Sequence, residues 1–230
     1  MSIVQKSDHR YLVLVTVGIG TFLSSLNTSI TNTILPVIQH AFHLTMGQSE
    51  WIVLIYLLVL TLFLLPVGRL SDLVGHRTLF LFGFVLFTLS ALFSGIAQSD
   101  LWLLIGRAML ALAGSMILAV GPALLTTSFA PSERGKVLGM QAIMTYIGLS
   151  LGPALGGWLA QSYGWQSTFL VTIPFGIAGL LLGLLSVPKI VVEHKKRFDR
   201  LGFVFFLIAM SSITLLLNSN AMPLRKAVNT

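Results

Sequence analysis

The sequence predicts an all-α integral membrane protein of seven transmembrane helices, and three observations carry that expectation. Of its 230 residues, 55% are hydrophobic and only 9% are charged, with a mean hydropathy of +0.91. A soluble domain carries roughly a quarter charged residues, because water must solvate its surface. The apolar residues are gathered into runs of about 20, the length that crosses ~30 Å of hydrocarbon. Finally, the basic residues stand in the short segments between alternate runs.

Seven runs qualify in order: 11–35, 51–70, 78–97, 101–125, 137–160, 167–187 and 201–217. The first is too long for a signal peptide and lacks a small-residue cleavage site, so it reads as a membrane span. None alternates with a period of two, which argues against a β-barrel. Gly (21) and Pro (8) are abundant, as transmembrane helices tolerate when neighbouring helices satisfy the backbone. Cysteine is absent, which excludes disulfides, thiolate metal sites and cysteine nucleophiles.

Orientation follows from Lys and Arg. Lys6 and Arg10 precede the first run, Arg69 and Arg77 flank the second connection, and Arg134 and Lys136 precede the fifth run. Lys189, Lys195, Lys196, Arg197 and Arg200 precede the seventh. The intervening segments 36–50, 98–100 and 161–166 hold no Lys or Arg. The positive-inside rule therefore places the N-terminus in the cytoplasm of a multi-pass cell-membrane protein. The net charge of +7 is accounted for by topology and not by a basic face for nucleic acid. The expected organisation is a cytoplasmic N-terminus 1–10, a six-helix bundle 11–188, a basic cytoplasmic linker 189–200, a seventh helix 201–217 and a polar tail 218–230.

An internal repeat supports this plan. The segment 68–81 aligns with 157–170, matching Gly68/Gly157, Leu70/Leu159, Gly75/Gly164, Phe80/Phe169 and Leu81/Leu170. The first copy carries Arg69, Asp72, His76 and Arg77, where the second has Trp158, Gln161, Trp165 and Gln166. Two three-helix units of opposite topology would put charge at the cytoplasmic face and tryptophan at the outer one.

Several motifs carry chemistry. Between the second and third runs stands Gly68-x-Leu70-Ser71-Asp72-x-x-Gly75-His76-Arg77. Its glycines would permit a tight turn, and Asp72 can accept from a helix N-terminus or pair with an Arg. The fifth run holds Gly139-x8-Gly148-x3-Gly152-Pro153-x2-Gly156-Gly157. Such glycines let another helix approach closely, and Pro153 adds a kink. The first run ends in Leu26-Asn27-Thr28-Ser29-Ile30-Thr31-Asn32-Thr33-Ile34-Leu35-Pro36, where Asn27, Ser29 and Asn32 either line a polar cavity or bond to neighbouring helices. Arg107 lies about two turns into the fourth run. An arginine in hydrocarbon costs about 2.5 kcal/mol or more, so it faces a cavity or partner, or else snorkels to the outer interface. Trp51 fits an interfacial anchor beside Tyr56 and Glu50. His40 and His43 by themselves do not specify a metal.

These motifs resemble the major facilitator superfamily, in its 14-helix drug:proton antiporter branch. The 68–77 segment is similar to the family's loop signature, G-x-L-small-D-basic-x-G-basic-basic, with Leu73 and His76 departing from it. The fifth run matches the antiporter signature in full, and 26–36 resembles L-D-x-T-x-x-N-x-A-L-P with Asn27 in the aspartate's place. Arg107 matches the arginine of R-x-x-Q-G-x-G, whose other positions are Leu110, Ala111 and Ala113 here. Segments 164–169 and Phe198-Asp199-x-x-Gly202 resemble the starts of the sixth and seventh helices. The resemblance covers about residues 8–217. It implies the family's N-terminal six-helix bundle, built of two inverted three-helix repeats, plus one extra transmembrane helix.

By that resemblance the expected activity is efflux of drugs or other small molecules by antiport, from a half-length chain. No substrate is specified, and no cofactor or metal is expected. The partners would be the lipid bilayer, an unknown small-molecule substrate, and either a second copy or a missing C-terminal half. All seven acids, Asp8, Glu50, Asp72, Asp100, Glu133, Glu193 and Asp199, fall in loops or at span ends. An amide at Asn27 cannot exchange a proton, so proton coupling rests on resemblance alone. By the resemblance a truncation after the seventh run is expected, and the alternative is a transport-incompetent membrane protein that at most associates with others. An enzyme would need an intramembrane acid, histidine or metal set, and the spans offer neither acid nor histidine.

Overall fold

A computed structural model describes residues 3–188, with side chains from residue 9 onward. The seventh run, the basic linker and the tail lie outside the described residues. The described chain is helical throughout: α1 (Ile3–Ala41), α2 (Met46–Val74), α3 (His76–Gly95), α4 (Asp100–Ser128), a 3-10 turn (Pro131–Glu133), α5 (Arg134–Tyr163), α6 (Ser167–Leu170) and α7 (Thr172–Ser186). With α6 and α7 taken together as Ser167–Ser186, six segments are long and apolar enough to cross a membrane.

Local chemistry sets the boundaries. Thr45 caps α2 in a capping box: its hydroxyl accepts from Gln48 N at 3.4 Å, and Gln48 Oε1 accepts from Thr45 N at 2.9 Å. Ser99 Oγ accepts from Trp102 N at 3.2 Å and starts α4. Gly75, at φ 102°, is both the end of α2 and the cap of α3, so one residue turns the chain back. Gly164, at φ 83°, ends α5 in the corresponding place. These are the described glycines with positive φ, and they occupy matched positions of the sequence repeat. The break between α6 and α7 follows from Pro174, whose missing N–H leaves the Leu170 carbonyl without its helical donor.

Two boundaries differ from expectation. Pro36 does not end the first span; α1 continues to Ala41, as membrane helices allow when the freed carbonyl is met otherwise. Nor is 68–77 a loop. Its residues up to Asp72 belong to α2, which runs on to Val74. Charge ends the hydrophobic run, whereas only Gly75 ends the backbone hydrogen bonding.

The bundle is built around α1 and α4, the most buried spans; α2 and α5 are largely exposed. α1 packs chiefly on α5, and also on α7 and α4. α4 holds α2 on one side and α3 on the other. Phe80, Phe84 and Phe87 project from one face of α3 into the core, the first two as an edge-to-face pair 5.2 Å apart. Gly179 of α7 lies directly beneath the Phe84 ring, where no Cβ would fit. Trp165, expected at the interface, is instead buried between Phe42 and Phe169, with centroids at 5.4 and 6.2 Å. Trp158 and Trp51 are exposed as the interfacial reading requires.

Candidate functional site

Arg107 stands seven residues into α4, about 10 Å from the helix start at 1.5 Å per residue. It is 1% exposed and therefore does not snorkel. Its Nη1 donates to Asn27 Oδ1 of α1, and its Nε donates to the Ile52 carbonyl of α2 at 3.3 Å. The guanidinium carbon lies 4.3 Å from the centroid of the Tyr56 ring, a cation–π distance. Ile52 and Tyr56 share a face of α2 because they are four residues apart. A carbonyl has two lone pairs, so Ile52 can serve both its own helix and Arg107. Tyr56 in turn meets Ser24 of α1, with hydroxyl oxygens 3.2 Å apart. Gly114, two turns beyond Arg107 on α4, leaves room for that pair: a Cβ there would come 3.0 Å from Ser24 Oγ and 3.2 Å from Tyr56 Oη.

Arg107 thus fastens α1, α2 and α4 at one buried node. None of the ion pairs among the described residues involves it. Its positive charge is met by an amide, a carbonyl and an aromatic face.

Asn27, Ser29 and Asn32 do not come together in one cavity. At about 100° per residue, positions 27 and 29 point to nearly opposite sides of a helix. Asn27 binds Arg107, Ser29 turns to α5, and Asn32 is exposed.

The glycine signature of α5 divides in the same way. Gly148, Gly152 and Gly156, four residues apart, press against α1. A Cβ on Gly148 would meet the Phe22 carbonyl at 2.7 Å, one on Gly152 would meet Ser29 Cβ and Oγ at 2.5 Å, and one on Gly156 would meet Ile30 Cγ2 at 3.3 Å. Gly139 and Gly157 have nothing within 4 Å and do not belong to this contact. Pro153 takes a specific part in it. Having no N–H, it leaves the Leu149 carbonyl without a helical donor, and Ser29 Oγ donates to that carbonyl at 2.7 Å. The α1 motif and the α5 signature therefore complete each other across a backbone-close seam.

At the other end of the bundle, Gly75 makes the turn, but Gly68 does not. It lies inside α2 in ordinary contact with Ala119, at 3.9 Å from a built Cβ. Asp72 is half-exposed and stands 3.8 Å from Arg69 and 3.9 Å from His76. Arg77 donates through Nη2 to the Leu184 carbonyl at 2.7 Å and through Nη1 to the Val187 carbonyl. It caps the last turn of α7, whose carbonyls have no partner within their own helix. Ser71, His76 and Asp72 superficially resemble a hydrolytic triad. The hydroxyl's proton is engaged elsewhere, however: Ser71 Oγ donates to the Gly68 carbonyl at 2.6 Å and lies 3.0 Å from His76 Nδ1. A base would have to accept that hydroxyl's proton.

The family model for the Major Facilitator Superfamily matches residues 17–224. The chain belongs to the major facilitator superfamily. Among its curated relatives, the riboflavin transporter RibZ of Clostridioides difficile is 34% identical over 210 residues, 91% of this chain and 46% of the relative. The multidrug resistance protein Stp of Mycobacterium tuberculosis is 32% identical over 205 residues, 89% of this chain and 38% of the relative. The putative multidrug resistance protein MdtD of Escherichia coli is 34% identical over 210 residues, 89% of this chain and 43% of the relative. The chain thus spans less than half the length of these relatives.

For a major facilitator protein, the sequence named the relevant residues but not their connections. The Arg107–Asn27 bond and the Ser29–Leu149 bond join residues 80 and 120 positions apart. Tyr56 and Ser24 carry no motif of their own in the sequence: Tyr56 stands near the interfacial anchor Trp51, and Ser24 one turn before Asn27. Their three- and four-residue offsets from Asn27 and Ile52 were the available signal. The capping by Arg77 of α7, 107 and 110 positions away, left no trace in the local sequence.

Proposed function

We propose that this chain is the N-terminal bundle of a carrier that exports small molecules across the cell membrane by alternating access. The observation that carries the reading is the buried node of Arg107 with Asn27, Ile52 and Tyr56. A cation is kept inside a membrane bundle at an energetic cost that function must justify. Here it joins the three helices whose relative positions a rocking bundle has to preserve. The close α1–α5 seam supports the same reading, since a rigid body is what such a mechanism moves. The N-terminus and the Arg10, Arg69, Arg77, Arg134 and Lys136 end of the bundle face the cytoplasm. The carrier works with a second bundle, supplied by another copy or by a C-terminal half, and catalyses no covalent chemistry.

The relatives' names supply two probes, riboflavin and, for multidrug export, a lipophilic cation such as ethidium. The test is efflux of each from cells expressing the full chain, against empty-vector cells. Wild type is expected to exceed vector, and Arg107→Ala to fall to vector level at equal membrane abundance. Undiminished efflux by Arg107→Ala removes the node from the mechanism. Vector-level efflux by wild type with both probes favours a membrane protein that only associates with others.

A further inference from the structure

The α1–α5 seam is closed at Gly148–Gly156 but opens toward the N-terminal ends of both helices. There a groove of about 460 Å³ runs between them, lined by Gly18, Phe22, Met140, Ile143, Met144 and Phe175. Gln141 also borders it, yet its Nε2 donates to Thr21 Oγ1 at 3.2 Å, so its polar tip is committed to α1. The remaining lining side chains are apolar.

The groove's mouth is different. Lys136, Met140 and Met144 are spaced by four residues and form one stripe along α5. Lys136 is exposed, makes no ion pair among the described residues, and stands on that stripe one turn before Met140, toward the helix start. On α1 the matching stripe is Arg10, Leu14, Gly18 and Phe22. Arg10 pairs with Glu133 at 2.8 Å, which sets Arg10, about two turns into α1, level with the start of α5 and neutralises the nearest acid. Tyr11, half-exposed beside it, is the amphipathic ring expected at a headgroup. The result is an apolar slot with uncompensated positive charge at its membrane-surface end.

We propose that this groove binds an anionic phospholipid, one acyl chain lying along Met140, Met144 and Phe22 and the phosphate held by Lys136. The volume lies within the range of small-molecule sites, ~300–1,000 Å³. Basic residues at the membrane surface attract anionic headgroups. The site is independent of the transport reading, since it needs only insertion of the bundle.

Native mass spectrometry of the full chain in detergent, given equimolar phosphatidylglycerol and phosphatidylcholine, tests it. Wild type is expected to retain phosphatidylglycerol several-fold over phosphatidylcholine. Lys136→Gln brings the two to parity. Gly18→Leu, whose Cβ alone comes 3.3 Å from Met144 Cγ, fills the slot and removes the retained lipid. Far-ultraviolet dichroism and gel filtration establish that each variant is folded, and Met140→Trp replaces Gly18→Leu if it is not. Equal retention of the two lipids by wild type, or none, overturns the proposal. So does phosphatidylglycerol retention unchanged in the folded groove-filling variant.

Discussion

Gly152 and Gly157 are equivalent in the α5 signature, and the structure separates them. In Gly152→Ala the new methyl would lie 2.5 Å from Ser29 Cβ and Oγ and 3.0 Å from Ile30 N. Unstrained carbon contacts need about 3.5–4.0 Å, so α1 and α5 must part by roughly 1 Å or Ser29 must rotate. Separation costs about 1–3 kcal/mol, as overpacking does. Rotation breaks the Ser29–Leu149 bond, worth about 0.6–1.7 kcal/mol in a membrane bundle, and leaves the carbonyl freed by Pro153 unmet. The better helix propensity of Ala returns up to ~1 kcal/mol. A net loss of up to about 2 kcal/mol is expected, about 1–3 kcal/mol worse than an Ala substitution that meets nothing. Gly157→Ala has nothing within 4 Å to meet, so it should be neutral or stabilising by up to ~1 kcal/mol. The assay is unfolding in mixed micelles titrated with sodium dodecyl sulfate, followed by far-ultraviolet dichroism. Ser29→Ala should already carry part of the loss, and the Ser29→Ala/Gly152→Ala pair should be less than additive. Equal effects from Gly152→Ala and Gly157→Ala would refute the seam as described.

Four further outcomes follow from the same geometry. Asn27→Leu removes the acceptor of a buried guanidinium and should cost about 1.5–3 kcal/mol in the same titration, the worth of a charged hydrogen bond; no loss would mean that Arg107 finds another partner. Gly75→Ala and Gly164→Ala force a side chain onto backbone at φ 102°, ψ 131° and φ 83°, ψ 160°, conformations that favour glycine, costing about 1–3 kcal/mol each. Arg77→Gln should quicken amide exchange in the last turn of α7, read by mass spectrometry over residues 180–187, while leaving α4 unchanged. Because the chain has no cysteine, single cysteines report topology directly. An impermeant maleimide should label Gln98→Cys on intact cells but Ser132→Cys only after permeabilisation, and the reverse pattern would invert the proposed orientation.

Composition and the spacing of apolar runs were sufficient for the membrane bundle, because a backbone in hydrocarbon has few alternatives to helix. Lys and Arg placement likewise supplied an orientation, and the repeat paired Gly75 with Gly164, the two glycines of positive φ among the described residues, although the turn expected at Gly68 is helix. The matched runs were also enough for the family. What they could not supply was direction around each helix. A signature written as one string contains residues that face different neighbours: Gly148 and Gly152 meet α1 while Gly139 and Gly157 meet nothing, and Asn27 meets Arg107 while Ser29 meets Leu149. Likewise Arg107 could be named as costly from its position, but its acceptors are on two other helices, 80 and 55 residues away. In lipid the apolar residues have no strong preference for one another, so hydrophobic patterning says little about which faces pair. Close backbone approach and the satisfaction of buried polar groups decide it, and those are properties of the assembled bundle alone.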